Sequence, residues 1–235
     1  MIKRFFILMI AVCAMLGSAF AQSVTPGLEM GELIRIGYTF RQVPNLSFNI
    51  NYKYADSTAP STILEQVNGQ YKIHDGRYWA MLDSTELVQG NNYSLAVFHE
   101  DKVISVHKPQ YMDAKIMQLP VTDSILSLYT DSIRVTQLTD TTRLLNIYFK
   151  PAIPYSGYQI RYNSVSYLVD SLQFYQREIN DSTTHTSFIK VKMTNYSEAV
   201  ISEDYFMESK FIYRDGTFYK RPDYSDYELM VDGDF

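Results

Sequence analysis

Apolar and polar positions alternate with a period of two through most of this chain. In FNINYKY, Phe48, Ile50, Tyr52 and Tyr54 face one way, and Asn49, Asn51 and Lys53 the other. That spacing marks a strand with one buried side. GQYKI then meets RYWAML across His74-Asp75-Gly76, where Asp-Gly accepts positive φ and predicts a hairpin. Gly90-Asn91-Asn92 predicts the next turn, before YSLAVF, and His99 to Lys102 turns again into VISVHK. Further along, SIRVTQL, RLLNIYFK, GYQIRYN, SYLVDSLQFYQRE and TSFIKVKMTNY carry the same β-rich alternation. Pro151 and Pro154 close RLLNIYFK, because proline cannot donate to a ladder. ESKFIYRDGTFYK, with Asp215-Gly216 at a turn or bulge, reads as the last strand.

Two stretches follow a helical period instead. GLEMGELIRIGYTFRQV places Leu33, Ile36 and Phe40 on one face and predicts a helix of about three turns. DSILSLYTD opens on Asp123, a good N-cap, and groups Ile125, Leu126 and Leu128, which predicts a short second helix. No long linker, internal repeat or low-complexity tract interrupts the series. The expected fold is mainly β (α+β): one curved antiparallel sheet with an N-terminal helix and a short helical insertion.

The first residues stand outside that fold. Lys3 and Arg4 precede an apolar run from Phe5 to Leu16, and Ala19-Phe20-Ala21 supplies small residues at −3 and −1 of a cleavage point. Residues 1–21 are therefore expected to be a signal peptide and residues 22–235 the folded domain, exported to a periplasm. The apolar run falls short of the roughly 20 residues a membrane span needs. The sole cysteine, Cys13, lies inside that run, so a disulfide framework and a thiolate metal site are both excluded from the domain. Cleavage leaves 214 of the 235 residues and takes the formal charge from −5 to −7, since Lys3 and Arg4 depart with it. Such an acidic domain is a poor partner for nucleic acid, which calls for a concentrated basic surface. No later apolar run approaches spanning length, so no integral span is expected after cleavage. The 20 Tyr and 13 Phe suit half-buried β-surfaces, where a ring packs and a hydroxyl finds a polar outlet.

Catalytic chemistry is not legible. His74, His99, His107 and His185 fall at turns or strand ends, and none belongs to an HExxH-type pair. His99-Glu100-Asp101 cannot converge on a metal if the three continue a strand, since neighbours there alternate faces. No G-x-S-x-G elbow, phosphate loop or S-x-x-K pattern occurs. The expectation is a non-catalytic protein without metal or cofactor. Repeated Asp-Ser/Thr pairs, among them Asp83-Ser84, Asp140-Thr141 and Asp170-Ser171, fit ordinary turn chemistry. They also resemble the O-glycosylation pattern of exported proteins from Bacteroides-like bacteria.

The run NGQYKIHDGRYWAMLDSTELVQGNNYSLAVFHEDKVISVHK, after a helix and FNINYKY, resembles the lipoprotein-carrier family of LolA/LolB-like half-barrels, especially their Bacteroidota relatives. Gly69, Tyr71, Gly76, Tyr78 and Trp79 match its first hairpin, and Gly90, Tyr93 and Phe98 the elements that follow. FIYRDGTFYKRPDY resembles the closing strand pair. The resemblance implies a half-barrel whose helices cover the concave face, and a role in binding an acyl chain or a lipidated protein. It also implies a strand arginine that controls opening, for which Arg77 is the candidate by neighbourhood.

Alternation and resemblance together single out Phe48, Ile50, Tyr52, Tyr71, Ile73, Tyr78, Leu145, Ile147 and Phe149 as an apolar groove. Tyr and Met make adaptable apolar walls, and each buried CH₂ of an acyl chain contributes about 0.8 kcal/mol. The same positions would equally form a filled core. An envelope module that docks a protein partner through a tyrosine-rich surface or a strand edge is the alternative function.

Overall fold

A computed structural model describes residues 28–56, 59, 61–109, 129–150, 155–180 and 183–232. The insertion expected around Asp123 and the prolines Pro151 and Pro154 lie outside the described residues, as does the signal peptide.

Among the described residues one helix, α1 (Leu28–Gln42), precedes the first strand. Leu33, Ile36 and Phe40 are all buried, as their spacing predicts, and the helix runs to 15 residues. Six strands follow in a meander: β1 (Asn45–Asp56), β2 (Ile63–His74), β3 (Arg77–Leu82), β4 (Thr85–Gln89), β5 (Ser94–Phe98) and β6 (Val103–His107). A second meander comprises β7 (Thr130–Thr139), β8 (Thr142–Phe149), β9 (Tyr155–Asn163), β10 (Val169–Asn180) and β11 (Thr183–Ser197). The β2–β3 hairpin turns at Asp75 (φ 48°) and Gly76 (φ 78°), the double positive-φ geometry that Asp-Gly favours.

The two meanders join side by side through β1 and β11, giving the order β14-β6-β5-β4-β3-β2-β1-β11-β10-β9-β8-β7. The twelve strands make one long curved sheet that does not close into a barrel: a half-barrel. All pairings between β1 and β11 are antiparallel, but β14 (Glu228–Val231) lies parallel to β6, so the sheet is mixed. ESKFIYRDGTFYK is not the last strand. Glu208–Lys210 is a 3-10 turn, and β12 (Ile212–Asp215) and β13 (Thr217–Lys220) form a separate two-stranded ribbon. Chain order places β6 and β7 toward opposite ends of the sheet.

The sheet has two cores. On the inner face, α1 packs with Leu46, Phe48, Ile50, Tyr71, Ile73, Leu145, Ile147, Tyr158, Ile160, Ile189, Val191 and their neighbours. On the outer face of β3–β6, Trp79, Val88, Leu95, Val97, Ile104 and Val106 pack under Ile201, Phe206, Phe211 and Ile212. Those last four belong to residues 198–232, a strap of short turns that crosses the outside of the N-terminal meander. Period-two alternation therefore divides β3 cleanly: Tyr78, Ala80 and Leu82 face inward, and Trp79 and Met81 face the strap.

Candidate functional site

Cross-strand register brings all nine groove residues onto the inner face. Phe48 pairs with Tyr71, Tyr71 with Ala80, and Ile73 with Leu46 and Tyr78. Across the seam, Ile50 pairs with Met193 and Tyr52 with Val191, and the row continues through Leu172 and Ile160 to Leu145. Phe48, Ile50, Tyr71, Ile73, Leu145, Ile147 and Phe149 are buried, while Tyr52 and Tyr78 are partly buried. In this state the surface is a packed core. Phe48 stacks on Tyr71 with centroids 5.4 Å apart, and Phe40 of α1 meets Phe48 edge-on at 6.2 Å.

Helix α1 is fixed at one end of this face. Its Glu32 is buried, although it lies four residues before Ile36 and so falls in the apolar stripe. Its carboxylate accepts from the Tyr162 hydroxyl at 2.5 Å and from Arg143 Nη1 at 2.9 Å. Arg35 donates to the Tyr167 hydroxyl at 2.9 Å. Phe40 also contacts Tyr196. Each partner lies near the start of β1, β8 or β10 or the end of β9 or β11, so the helix spans one end of the half-barrel. At the other end Tyr52, Tyr54, Ile133, Tyr155 and Phe174 are only half-buried.

That end is rich in phenols. Tyr52 and Tyr71 share a hydrogen bond, and burial raises the Tyr71 hydroxyl well above its ordinary range, with nearby Tyr52 adding to it. Burial also raises Tyr52, partly offset by Tyr71. The Tyr54 hydroxyl meets Ser187 Oγ at 2.9 Å. Near α1, burial and then the Glu32 carboxylate raise the Tyr162 hydroxyl. The hydrogen bond it donates to Glu32 raises Arg143 in turn. The inner face thus combines an apolar floor with neutral hydroxyls and one ion pair under the helix.

Arg77 does not serve as the inner-face arginine. It lies on the outer face, where it grips Glu203 of the strap with two hydrogen bonds of 2.5 and 2.9 Å. Arg143 is the arginine that reaches α1, and the signal was present in the sequence as an acid at a buried helical position. The histidines with described side chains are also strap or edge residues. His74 contacts Glu203 at 3.1 Å, His99 contacts Glu86 at 3.3 Å and the Tyr227 hydroxyl at 3.0 Å, and His107 contacts Asp232 at 3.2 Å. His99 finds its acid on β4 rather than in the adjacent Glu100-Asp101. Among the described residues no group of three or more His, Cys, Asp or Glu is arranged to hold a metal ion. Of the Asp-Ser/Thr pairs, Ser171 is buried, whereas Thr141 is exposed at the β7–β8 turn.

No helix among the described residues is long and apolar enough to cross a membrane. No family model matches this chain, and no curated protein matches it. Solved structures do match. A DUF1329 family protein from Desulfovibrio piger is 10% identical with a TM-score of 0.38, covering 77% of this chain and 96% of that one. A LolA superfamily protein from Nitrosomonas europaea is 9% identical at a TM-score of 0.36, covering 78% and 99%. The complex of Pseudomonas aeruginosa MucA and MucB is matched at 14% identity and a TM-score of 0.42, covering 77% and 61%. At identities and TM-scores this low, these are likenesses only and assign no role to any residue.

Proposed function

We propose that this chain is an exported, non-catalytic binding or carrier protein whose inner face accepts an acyl chain or the lipid of an acylated partner. The supporting observation is the helix at one end of a continuous apolar surface, held there through one buried carboxylate. Phe48, Ile50, Tyr52, Tyr71, Ile73, Tyr78, Leu145, Ile147 and Phe149 form the floor, and a ligand reaches the buried members when α1 lifts. Burying apolar chain gains about 25 cal/mol per Å², enough for a long chain to replace the contacts of Leu33, Ile36 and Phe40. The Glu32–Arg143–Tyr162 contacts set the balance between the two states, because separating them exposes a charge that the closed helix keeps paired.

The test is uptake of a fluorescent fatty-acid probe by the delipidated exported protein, alongside mass spectrometry of lipid extracted after native purification. Probe binding that rises in Glu32→Gln and falls in Ile147→Asp supports the proposal. Absence of both co-purified lipid and probe uptake, in wild type and in Glu32→Gln, sinks it. In that event a single envelope protein recovered by the delipidated chain favours the docking module.

A further inference from the structure

The outer face of β1, β2 and β7–β11 carries a pattern that the lipid proposal does not use. At one level across seven strands the register aligns Gln66, Lys53, Lys190, Gln173, Gln159, Asn146 and Arg134. The adjacent level aligns Asn68, Asn51, Lys192, Ser171, Arg161, Leu144 and Thr136. The fourteen positions hold five cations, six amides and no carboxylate, in a chain with 26 acids against 21 bases; all but Asn146 and Ser171, which are buried, are at least partly exposed. The nearest acids lie off the rows. Asp170 pairs with Arg161 at 3.4 Å, and Asp83 accepts the Asn68 backbone N–H at 3.1 Å.

Two further observations point to a ligand. Lys53 and Lys190 are direct cross-strand partners. Like charges so placed repel, and none of the ion pairs among the described residues involves Lys53, Lys190, Lys192 or Arg134. The sheet therefore carries a local cost that its own side chains do not offset. At the β1–β2 end of the rows, Asn51 and Asn68 join Asn49, Gln70, Trp79 and Asp83 in lining an open depression of about 560 Å³.

The geometry points to a binding face for an acidic polysaccharide laid across the strands. With strands about 4.8 Å apart, seven of them give a track of roughly 29 Å. Amide side chains both donate and accept, which suits sugar hydroxyls, and the cations suit uronate carboxylates. An anionic membrane fits less well, since the rows offer only Leu144 as an apolar side chain to insert. A nucleic acid fits less well, since six neutral amides interrupt the cations.

The experiment titrates sodium polygalacturonate into the full exported chain by calorimetry, with neutral dextran, phosphatidylglycerol vesicles and duplex DNA as comparators. Binding should be selective for polygalacturonate and weaken with added salt. K53Q/K190Q should lose about tenfold in affinity, as expected for two exposed charge contacts, whereas the charge-matched K108Q/K210Q should not. The melting temperature of K53Q/K190Q should equal or exceed wild type, because repulsion has been removed. Equal loss in both double variants, preference for vesicles or DNA, no polygalacturonate binding, or a clear drop in melting temperature would each overturn the assignment.

Discussion

Two outer surfaces of the same sheet differ completely, although the strands beneath them share one inner core. Outside β3–β6 the alternate positions are Trp79, Val88, Leu95, Val97, Ile104 and Val106, and all are buried. Outside β1 and β7–β11 the corresponding positions are mostly Asn, Gln, Lys, Arg, Ser and Thr, and among the described residues no strap packs over them, although Asn146 and Ser171 are buried within the face. An apolar outer row needs a cover, and residues 198–232 supply one. Phe206 sits between His74, with centroids 5.9 Å apart, and Arg77, whose guanidinium lies 5.0 Å from the ring centroid. Glu208 caps the β4–β5 turn by accepting the N–H groups of Asn92 and Tyr93 at 2.7 and 3.2 Å. Its carboxylate occupies the space a Cβ on Gly90 would need, so a larger residue there would push the Glu208 side chain off the turn. A polar outer row needs no cover and leaves its side chains available. Composition of the outward positions therefore decides which half of the sheet is armoured and which half is presented.

The sharpest way to break this contrast is to damage each face equally. Phe206→Ala should cost about 3–5 kcal/mol, as a buried aromatic truncation, and loosen the whole strap. Gln173→Ala on the bare face should stay within about 0.5 kcal/mol. Denaturant midpoints measure both, and similar losses would contradict the two-surface description. Glu208→Ala should cost about 1–2 kcal/mol, through two turn N–H groups left without their acceptor, and should speed amide exchange at Asn92 and Tyr93.

Titration separates the faces by pH. Burial raises the inner-face phenols Tyr52 and Tyr71. A raised phenol contributes stability that is intact below its unfolded value, about pH 10, and is lost as pH climbs toward the folded value. Phenolate absorbance should therefore rise together with loss of fold above about pH 10. The strap responds at the other extreme. Arg77 lowers Glu203, and Lys102 lowers Asp226. Their contribution holds above the ordinary carboxylate range, about pH 4, and fades as acid takes them through their lowered values. Amide exchange in residues 203–232 should accelerate on acidification before the inner sheet does. The smallest effect expected is on the bare face: Lys53→Gln should gain a few tenths of a kcal/mol by removing a like-charge pair.

Much of this architecture is written in the alternation of single segments. FNINYKY, RLLNIYFK and the Asp75-Gly76 turn lie where their patterns place them, and Leu33, Ile36 and Phe40 are buried as the helical spacing implies. β14 was not legible. It is four residues long, mostly exposed, and its register is imposed by the strap packing Leu229 against the outer core of Ile104 and its neighbours. ESKFIYRDGTFYK reads as a last strand with a turn or bulge at Asp215-Gly216, and its local pattern does not reveal a two-stranded ribbon apart from the main sheet. The groove residues share a face because period two assigns faces. Their burial depends on α1, which approaches from residues distant in sequence. The Arg143–Glu32 contact joins residues 111 apart, beyond the reach of any local pattern. The two polar rows were invisible for the same reason, since they exist only after seven strands have chosen their registers.

The β1–β11 seam also orders events in time. It joins Ile50 to Met193 in the middle of the sheet, whereas every other antiparallel pairing in the two meanders links neighbouring hairpin strands. Each meander can form from local contacts, but the seam requires closing a loop of well over a hundred residues, which slows the final step. As the chain is made from its N-terminus, the first meander forms with one edge of β1 unpaired, and that edge stays so until β11 has crossed. For that interval the 12-residue edge of β1 is exposed to any other extended chain nearby. The position of greatest structural security in the finished protein is thus its point of greatest vulnerability while it is being made.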